Sequence, residues 1–172
     1  VVSMATTTGF ATADFNSWPL FLPYVLLYAA IIGACAGSTG GGMKVIRILL
    51  IFKQGFREVQ RLIHPRAVIP IKLGGQRVSD RIVESVWGFF AVYVMVFLIM
   101  LLALLATGLD IVTAFSAVGA CINNLGPGLA EVAVTYGQLP AAAKWILCFA
   151  MLLGRLEIFT LLVLFTPMFW KR

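Results

Sequence analysis

The sequence contains little of what enzyme and metal sites are built from. Its 172 residues include seven acidic residues, three cysteines and one histidine. The cysteines all lie in apolar segments, where a thiol is ordinarily a small buried hydrophobe, so they predict neither a disulfide framework nor a metal site. His64 has no other candidate metal ligand near it in the sequence. Since no Ser/His/Asp or Cys/His set is available either, we predict that the chain is not an enzyme and binds no cofactor of its own.

Most of the sequence is apolar. Hydrophobic residues make up 61% of the chain, whereas a soluble domain is usually about 45–50% apolar. We therefore predict an all-α integral membrane protein that crosses the bilayer several times. The chain begins at Val1 without an initiator methionine, a basic n-region or a signal peptide. We expect it to be the C-terminal piece of a longer protein.

Positive charge is concentrated in one short segment. Nine of the thirteen Lys and Arg residues lie between Lys44 and Arg81. A short basic segment belongs on the cytoplasmic side of a membrane, and whether it is also a docking surface is open at this point. No aromatic or motif pattern accompanies the charge, so we predict no binding of nucleic acid.

Three apolar stretches reach the length of about 20 residues that a membrane span needs. They are residues 20–52, 86–107 and 139–170. Before the third stretch, Asp110 is placed to cap a helix over 111–122 that is too short to cross. That helix ends at NNLGPG, where Pro127 cannot continue it. The order of span, half-helix, polar turn and span is typical of a re-entrant pore loop, because irregular backbone at membrane depth must line a cavity or be buried in protein.

The second half of the chain repeats the first. YVLLYAAIIG at 24–33 matches WILCFAMLLG at 145–154 with an offset of 121 positions, and Gly9 and Gly126 lie 117 positions apart. Both copies run from outside to inside once the basic segment is placed in the cytoplasm. The sequence therefore predicts a parallel internal repeat about an axis along the membrane normal.

Each copy is preceded by a polar turn that ends in glycine. The turns are TTTG at Thr6–Gly9 and NNLG at Asn123–Gly126. A cation filter uses rings of backbone carbonyls to replace the hydration shell of the ion, and glycine permits backbone angles that aim carbonyls inward. An ordinary external turn uses the same residue types, but the repetition before matched spans favours a filter.

Four stretches, TTTGFATADF, GSTGGGMKVIR, NNLGPG and GRLEIFTLLVLF, resemble the Trk/Ktr/HKT superfamily of potassium transporters, and most closely its bacterial Trk members. The resemblance covers essentially the whole chain and implies tandem repeats of span, pore loop and span, four in all, around a central ion pore. Residues 1–53 would be the end of the third repeat, 54–84 a basic cytoplasmic linker and 85–172 the fourth repeat. The two missing pore loops would come from residues before Val1 or from another chain.

The resemblance also implies a function, a site and partners. The function is potassium-selective translocation across the bacterial inner membrane, with the potassium ion as substrate. Backbone carbonyls near Gly9 and Gly126 would bind the ion, in turns formed by Thr7, Thr8 and Gly9 and by Asn124, Leu125 and Gly126. A homodimer in the lipid bilayer would pair with a cytosolic RCK-type nucleotide-binding regulatory subunit of the TrkA kind. ATP, ADP or NAD would bind that subunit and not this chain.

The glycine-rich break in the first apolar stretch, GACAGSTGGGMK at 33–44, has three candidate roles. A phosphate-binding P-loop would need Gly-Lys followed by Ser or Thr, but Met43 separates Gly42 from Lys44. Close helix packing through small residues does not fit either, because each glycine costs a helix about 1 kcal/mol. The resemblance implies a gate below the filter, a broken helix forming an intramembrane loop. Its residues would be Ala36, Gly37, Ser38, Thr39, Gly40, Gly41 and Gly42.

Arg155 is the predicted partner of this loop. The repeat aligns Gly33 with Gly154, which places Arg155 at the depth where the loop begins. A charged residue inside a membrane is a functional hypothesis by default, and the resemblance implies an arginine at this position. We predict that Arg155 faces the pore, donates hydrogen bonds to loop carbonyls and adds a positive barrier to cations.

Two other functions compete with a gated potassium pathway. A proton- or sodium-coupled secondary transporter would want a carboxylate at the midplane of the bilayer, and Glu157 is the sole candidate. A non-conducting membrane assembly subunit would need neither a filter nor a gate. Asp14 and Glu131 fall in predicted external loops, where solvated surface residues are expected.

Overall fold

The computed structural model describes residues 1–11, 15–19, 21–33, 35, 41–156, 158–165 and 170. The fold is mostly helical, as predicted. Its helices are α1 (Val2–Ala5), α2 (Leu22–Ile32), α3 (Val45–Ile63), α4 (Asp80–Leu105), α5 (Ile111–Ile122), α6 (Ala141–Arg155) and α7 (Ile158–Phe165). Single 3₁₀ turns cover Phe15–Ser17 and Ala130–Val132, and a two-stranded hairpin of β1 (Lys72–Leu73) and β2 (Gln76–Arg77) lies between α3 and α4.

Helix α4 covers residues 86–105 of the predicted span 86–107. Among the described residues it is the one helix that is both long enough and apolar enough to cross a membrane, while α2 and α5 are apolar but shorter. Its polar first turn starts at Asp80, six residues before the apolar run. The added turns extend the helix toward the basic segment.

The first apolar stretch is divided between two helices, as the glycine-rich break predicts. Helix α2 ends at Ile32, and α3 begins at Val45. Helix α3 does not end with the apolar residues but continues to Ile63, ten residues into the segment predicted as a linker. Polar and apolar residues continue at helical spacing along α3 after Phe52. The first basic residues therefore do not mark the C-terminal end of the helix.

The rest of the basic segment is held against α3 and α4. Arg57 is 7% exposed and forms an ion pair with Asp80, with 2.6 Å between Nη1 and Oδ1. The Lys53 ammonium donates a hydrogen bond to the carbonyl of Lys72 in the hairpin, at 2.6 Å. Beneath these contacts, Leu50 and Ile71 pack into a small apolar cluster with the start of α4. The segment predicted as a plain cytoplasmic linker is therefore largely folded.

Helix α5 is the buried centre of the described structure. It begins at the predicted cap, where the Asp110 carboxylate accepts a hydrogen bond from the backbone N–H of Val112 at 3.0 Å. Val118 and Ile122 of α5 are almost fully buried in a core shared with α4 and α6. Helix α5 is too short to cross a membrane, so its ends lie at membrane depth. Their polar backbone groups are tolerated there because α4, α6 and the following turn surround the helix.

The third apolar stretch, predicted as a membrane span, is divided between two helices. Helix α6 ends at Arg155, Leu156 leaves the helical conformation with φ −86° and ψ 7°, and α7 begins at Ile158. A cationic side chain in the last turn is favourable at a helix C-terminus, which is consistent with an end at Arg155. Helix α7 then packs on α4, with the Phe159 and Phe89 rings edge to face at 5.7 Å.

Candidate functional site

The first polar turn closes α1 with a helix-capping motif. The N–H of Thr8 donates to the carbonyl of Ser3 at 2.9 Å, and the N–H of Thr7 donates to the carbonyl of Met4 at 3.1 Å. This pair of six-to-one and five-to-two bonds is the Schellman arrangement. The helix therefore ends sharply, and the chain leaves it at Gly9.

The second turn closes α5 with the same bonds, 117 positions later. The N–H of Leu125 donates to the carbonyl of Ala120 at 2.8 Å, and the N–H of Asn124 donates to the carbonyl of Cys121 at 3.0 Å. The cap residues also agree, with φ −87° and ψ 1° at Thr6 and φ −92° and ψ 0° at Asn123. The two turns are thus equivalent in backbone geometry as well as in sequence position.

Positive φ angles alternate along both turns. Thr7 has φ 56° and Gly9 has φ 80°, while Asn124 has φ 53° and Gly126 has φ 100°. Neither Thr8 nor Leu125, which lie between them, has a positive φ. Asparagine tolerates the left-handed region, but a β-branched threonine there is an outlier that costs of order 1–3 kcal/mol. The conformation at Thr7 is therefore imposed by its surroundings.

The two turns are in direct contact. A Cβ atom on Gly9 would overlap the carbonyl oxygen of Leu125 and would lie 3.0 Å from Cδ of Pro127. Only a residue without a side chain permits this approach of the two backbones. The structure thus brings together the six residues predicted from the sequence as filter residues: Thr7, Thr8, Gly9, Asn124, Leu125 and Gly126.

Two tyrosines support the second turn, and sequence reasoning missed both of them. The Tyr93 hydroxyl of α4 donates to Oδ1 of Asn123 at 3.1 Å, and Asn123, 0% exposed, donates from Nδ2 to the carbonyl of Gly119 at 2.6 Å. The Tyr136 hydroxyl donates to the carbonyl of Gly126 at 2.7 Å. A buried tyrosine usually finds a partner for its hydroxyl. The only sequence signal for Tyr93 is that a tyrosine, which needs a hydrogen-bond partner, lies within an otherwise apolar span.

The glycine-rich loop is described at its C-terminal end. Gly41 and Gly42 lie within the described residues, whereas Ala36, Gly37, Ser38, Thr39 and Gly40 lie outside them. A Cβ atom on Gly41 would overlap the backbone carbonyl of Asn123. The N–H of Gly41 donates to Oγ1 of Thr7 at 3.3 Å. The end of this loop therefore touches both polar turns at once.

Arg155 is the last residue of α6, and its side chain is exposed in this chain. The residue before it packs tightly on the second turn, since a Cβ atom on Gly154 would overlap the carbonyl of Ile122 and lie 2.8 Å from Nδ2 of Asn124. The end of α6 is thereby positioned beside the turn. The contact predicted for Arg155 is with carbonyls of the loop 36–42, of which residues 36–40 lie outside the described part of the chain.

The acidic residues considered from the sequence are exposed or lie outside the described residues. Glu131 is exposed in the 3₁₀ turn Ala130–Val132, whereas Asp14 and Glu157 are outside the described residues. Within the described part of the chain, no group of three or more His, Cys, Asp or Glu side chains could hold a metal ion. Oxygen ligands for a cation at the described turns would be backbone carbonyls together with the hydroxyls of the threonines and the amide oxygens of the asparagines in them.

Comparison with known proteins gives matches along the whole chain. Residues 1–172 match the family described as TrkH, cation transport protein. The Trk system potassium uptake protein TrkH of Halomonas elongata is 63% identical over 172 residues, and its counterpart in Escherichia coli K12 is 61% identical over 171 residues. These alignments cover 100% and 99% of this chain but only 36% and 35% of the two relatives.

A solved structure agrees with the fold. The crystal structure of the potassium transporter TrkH from Vibrio parahaemolyticus superposes with a TM-score of 0.91 at 60% sequence identity. The match covers 99% of this chain and 36% of that chain, so the chain spans just over a third of the length of its relatives. With its full length matched by the family and by these relatives, the chain belongs to the TrkH family of cation transport proteins.

Proposed function

We propose that this chain forms part of a potassium uptake pathway in the bacterial inner membrane, supplying two of the four pore loops around one pore. The relatives that support the proposal are named as Trk system potassium uptake proteins. They are bacterial proteins, and the family name states cation transport. Membership of such a family also agrees with the long apolar helix α4.

The observation that carries the proposal is the duplicated turn. Two short helices end in the same capping bonds and the same alternation of φ, and their backbones touch at Gly9 and Leu125. A filter formed from several loops needs equivalent backbone segments that meet at one axis. The positive φ angles at Thr7, Gly9, Asn124 and Gly126 permit backbone directions in which carbonyl groups can face a common axis. In this proposal potassium is bound by backbone carbonyls near Gly9 and Gly126, in a turn whose Gly126 carbonyl also accepts a hydrogen bond from Tyr136.

The gate is proposed to be the glycine-rich loop, residues 36–42, together with Arg155. Gly41 is in contact with the backbone of Asn123 and hydrogen-bonded to Thr7, which puts the described end of the loop directly against both turns. Arg155 follows Gly154, which packs on the second turn from α6. A loop held there by weak contacts would block ions when closed and would open at small energetic cost. The guanidinium of Arg155 would donate to loop carbonyls and oppose the passage of cations.

A homodimer is proposed as the assembly, and helix α3 offers a surface for it. Apolar side chains recur along α3 at alternating spacings of four and three residues, and all of them are exposed in this chain. They are Val45, Leu49, Phe52, Phe56, Val59 and Ile63. This is the spacing of a seam between two packed helices, so a second copy could cover it. Phe56→Glu in the full-length protein should shift the molecular mass in detergent toward the monomer.

The cytosolic partner is proposed to be an RCK-type nucleotide-binding subunit of the TrkA kind, which would bind ATP, ADP or NAD. Support comes from the word "system" in the names of the relatives and from the folded basic segment. In that segment Arg57 and Lys53 tie α3 to the start of α4 and to the hairpin. A docked subunit that moves this surface would also move α3. Helix α3 begins at Val45, only three residues after Gly42 at the end of the glycine-rich loop, so the movement would reach the proposed gate.

A filter substitution with a matched control tests the proposed function. The full-length protein is reconstituted in vesicles, and potassium and sodium flux are measured for Gly126→Ser and Gly108→Ser. Both glycines have a positive φ and open space around the site of a Cβ atom, so both substitutions strain the backbone alike, but only Gly126 lies in a polar turn. We expect a loss of potassium selectivity of about tenfold or more for Gly126→Ser alone. Potassium and sodium permeability left unchanged by Gly126→Ser would refute the filter and would favour a subunit that does not itself conduct.

The competing coupled transporter has its own test. Glu157→Gln should abolish uptake driven by a proton or sodium gradient if a midplane carboxylate carries the coupling. If the chain instead forms a passive potassium pathway, flux is retained in this variant. Flux is measured with and without the gradient, and loss of both the driven and the passive component would count against a passive pathway.

A further inference from the structure

A groove opens where α3, α4 and α7 meet, away from the two turns. It has a volume of about 390 Å³. Its lining residues come from all three helices: Arg47, Arg81, Ile82, Ser85, Val86, Phe89 and Phe159. The groove therefore combines two arginines with an apolar wall, and none of its described lining residues is acidic.

The position of the groove along α4 fits the boundary between lipid and cytoplasm. Arg81 lies in the first turn of α4, and Phe89 lies eight residues further on, about 12 Å along the axis. Trp87, 39% exposed, lies on α4 between these two levels. Tryptophan side chains concentrate at the headgroup layer of a membrane. The groove thus starts on the basic, cytoplasmic side and ends among apolar side chains.

The two arginines hold different positions in the groove. The guanidinium carbon of Arg47 lies 4.2 Å from the centroid of the Phe89 ring, which keeps a cation next to the apolar wall. Arg81 is exposed at the entrance. A guanidinium is well suited to a phosphate group because its planar fork donates two parallel hydrogen bonds. Two such groups beside an apolar groove match a ligand with an anionic head and an apolar tail.

We propose that this groove binds one anionic glycerophospholipid of the cytoplasmic leaflet. Its phosphate is bound by Arg81 at the entrance, an acyl chain lies along Val86 and Phe159, and the Arg47 guanidinium over Phe89 adds positive charge further along the groove. Charge complementarity selects an anionic lipid over a zwitterionic one, because basic pockets between membrane helices on the cytoplasmic side favour acidic headgroups. Lipid binding here requires the membrane orientation proposed above but does not depend on ion conduction or on the filter.

The site links two parts of the chain that the proposed gate would move relative to each other. Arg47 is the third residue of α3, just after the glycine-rich loop, whereas Arg81 belongs to α4 and Phe159 to α7. A phospholipid that touches all three helices stabilises their packing. Bound lipid is therefore expected to raise the thermal stability of the protein, since a ligand that binds only the folded state stabilises it.

The test measures lipid binding without any transport assay. The full-length protein in neutral detergent is titrated with dioleoyl phosphatidylglycerol or dioleoyl phosphatidylcholine, and retained lipid is counted by native mass spectrometry while Tm is followed. We expect preferential retention of phosphatidylglycerol, with a rise in Tm. Arg81→Gln should weaken that retention about fivefold, and Arg81→Lys, which keeps the charge but lacks the planar fork, should restore part of it. The control Arg77→Gln removes the same charge from the exposed hairpin strand β2 and should leave retention unchanged.

A second variant and a second ligand make the test specific to a lipid site. Ser85→Phe fills the groove without a change of charge and should also lower retention, so the proposal stays testable if Arg81→Gln does not fold. Equal retention of both lipids would mean a merely apolar groove, and an equal rise in Tm with millimolar inorganic phosphate would mean a site for free anions. Equal losses in Arg77→Gln and Arg81→Gln would mean a general effect of charge. Each of these three results overturns the proposal.

Discussion

The side chain of Thr7 accepts a hydrogen bond from the backbone N–H of Gly41, with 3.3 Å between Oγ1 and N across 34 positions of the sequence. Thr7 belongs to the first polar turn, and Gly41 to the glycine-rich loop. Thr7 also has φ 56°, a conformation that a β-branched residue avoids unless it is held there. The strained residue of the turn is thus the one that binds the loop.

This bond predicts that the hydroxyl of Thr7 favours the closed loop. Thr7→Val keeps the shape and the β-branch but removes the acceptor for the Gly41 N–H. A neutral hydrogen bond contributes about 0.5–1.5 kcal/mol net, so basal potassium flux of the full-length protein without its regulator should rise roughly two- to tenfold. Thr7→Ser retains the hydroxyl and should remain near wild type.

The matched control for Thr7 is Thr107→Val. Thr107 donates from its hydroxyl to the carbonyl of Leu104 at the C-terminal end of α4, at 2.6 Å, and it belongs to neither polar turn. Its substitution removes one hydroxyl without affecting the loop. If Thr107→Val and Thr7→Val change basal flux equally, the hydroxyl of Thr7 has no specific role in closing the loop.

Arg155 gives a second prediction for the gate. Arg155→Ala removes the cation proposed to hold the loop and to oppose passing ions, so basal flux in vesicles should increase. Arg155→Lys keeps the charge but lacks the planar fork of the guanidinium, and its flux should fall between those of wild type and the alanine variant. Unchanged or lower flux from correctly assembled Arg155→Ala protein would rule out a closing role for this side chain.

Much of this arrangement could be predicted from the sequence because it depends on residue types that the backbone requires. The positions of Gly9 and Gly126 predicted both turns, whereas Gly154 only aligned the repeat, and its close packing on α5 was not predicted. Apolar composition marked the spans. The length of α3 and the break at Leu156 could not be predicted, because a continuous and an interrupted apolar helix have the same composition. The left-handed conformation of Thr7 runs against its propensity, although the capping bonds to Ser3 and Met4 require it at this position.

Tyr93 provides a prediction about stability. Tyr93→Phe removes the hydroxyl that donates to Oδ1 of Asn123, which is 0% exposed. A buried acceptor left without its donor costs about 1–3 kcal/mol, so the thermal unfolding midpoint of the full-length protein should fall. Tyr28→Phe removes a hydroxyl from a 57% exposed tyrosine of α2 and should change the midpoint little. Equal midpoints for the two variants would show that the Tyr93 bond contributes nothing measurable.

Substitution of glycine by alanine is expected to change the stability of the protein in opposite directions at Gly154 and Gly55. Gly154→Ala would drive a Cβ atom into the backbone carbonyl of Ile122, which cannot move aside without shifting the second turn, so a loss of about 1–3 kcal/mol is expected from overpacking. Gly55 lies inside α3, and a Cβ atom added there would meet no atom within 4 Å, so Gly55→Ala should stabilise the protein by about 0.5–1 kcal/mol. Thermal unfolding of both variants of the full-length protein checks the signs. A Gly154→Ala protein as stable as wild type would mean that α6 does not press on the turn, and the positioning of Arg155 through Gly154 would then lose its structural basis.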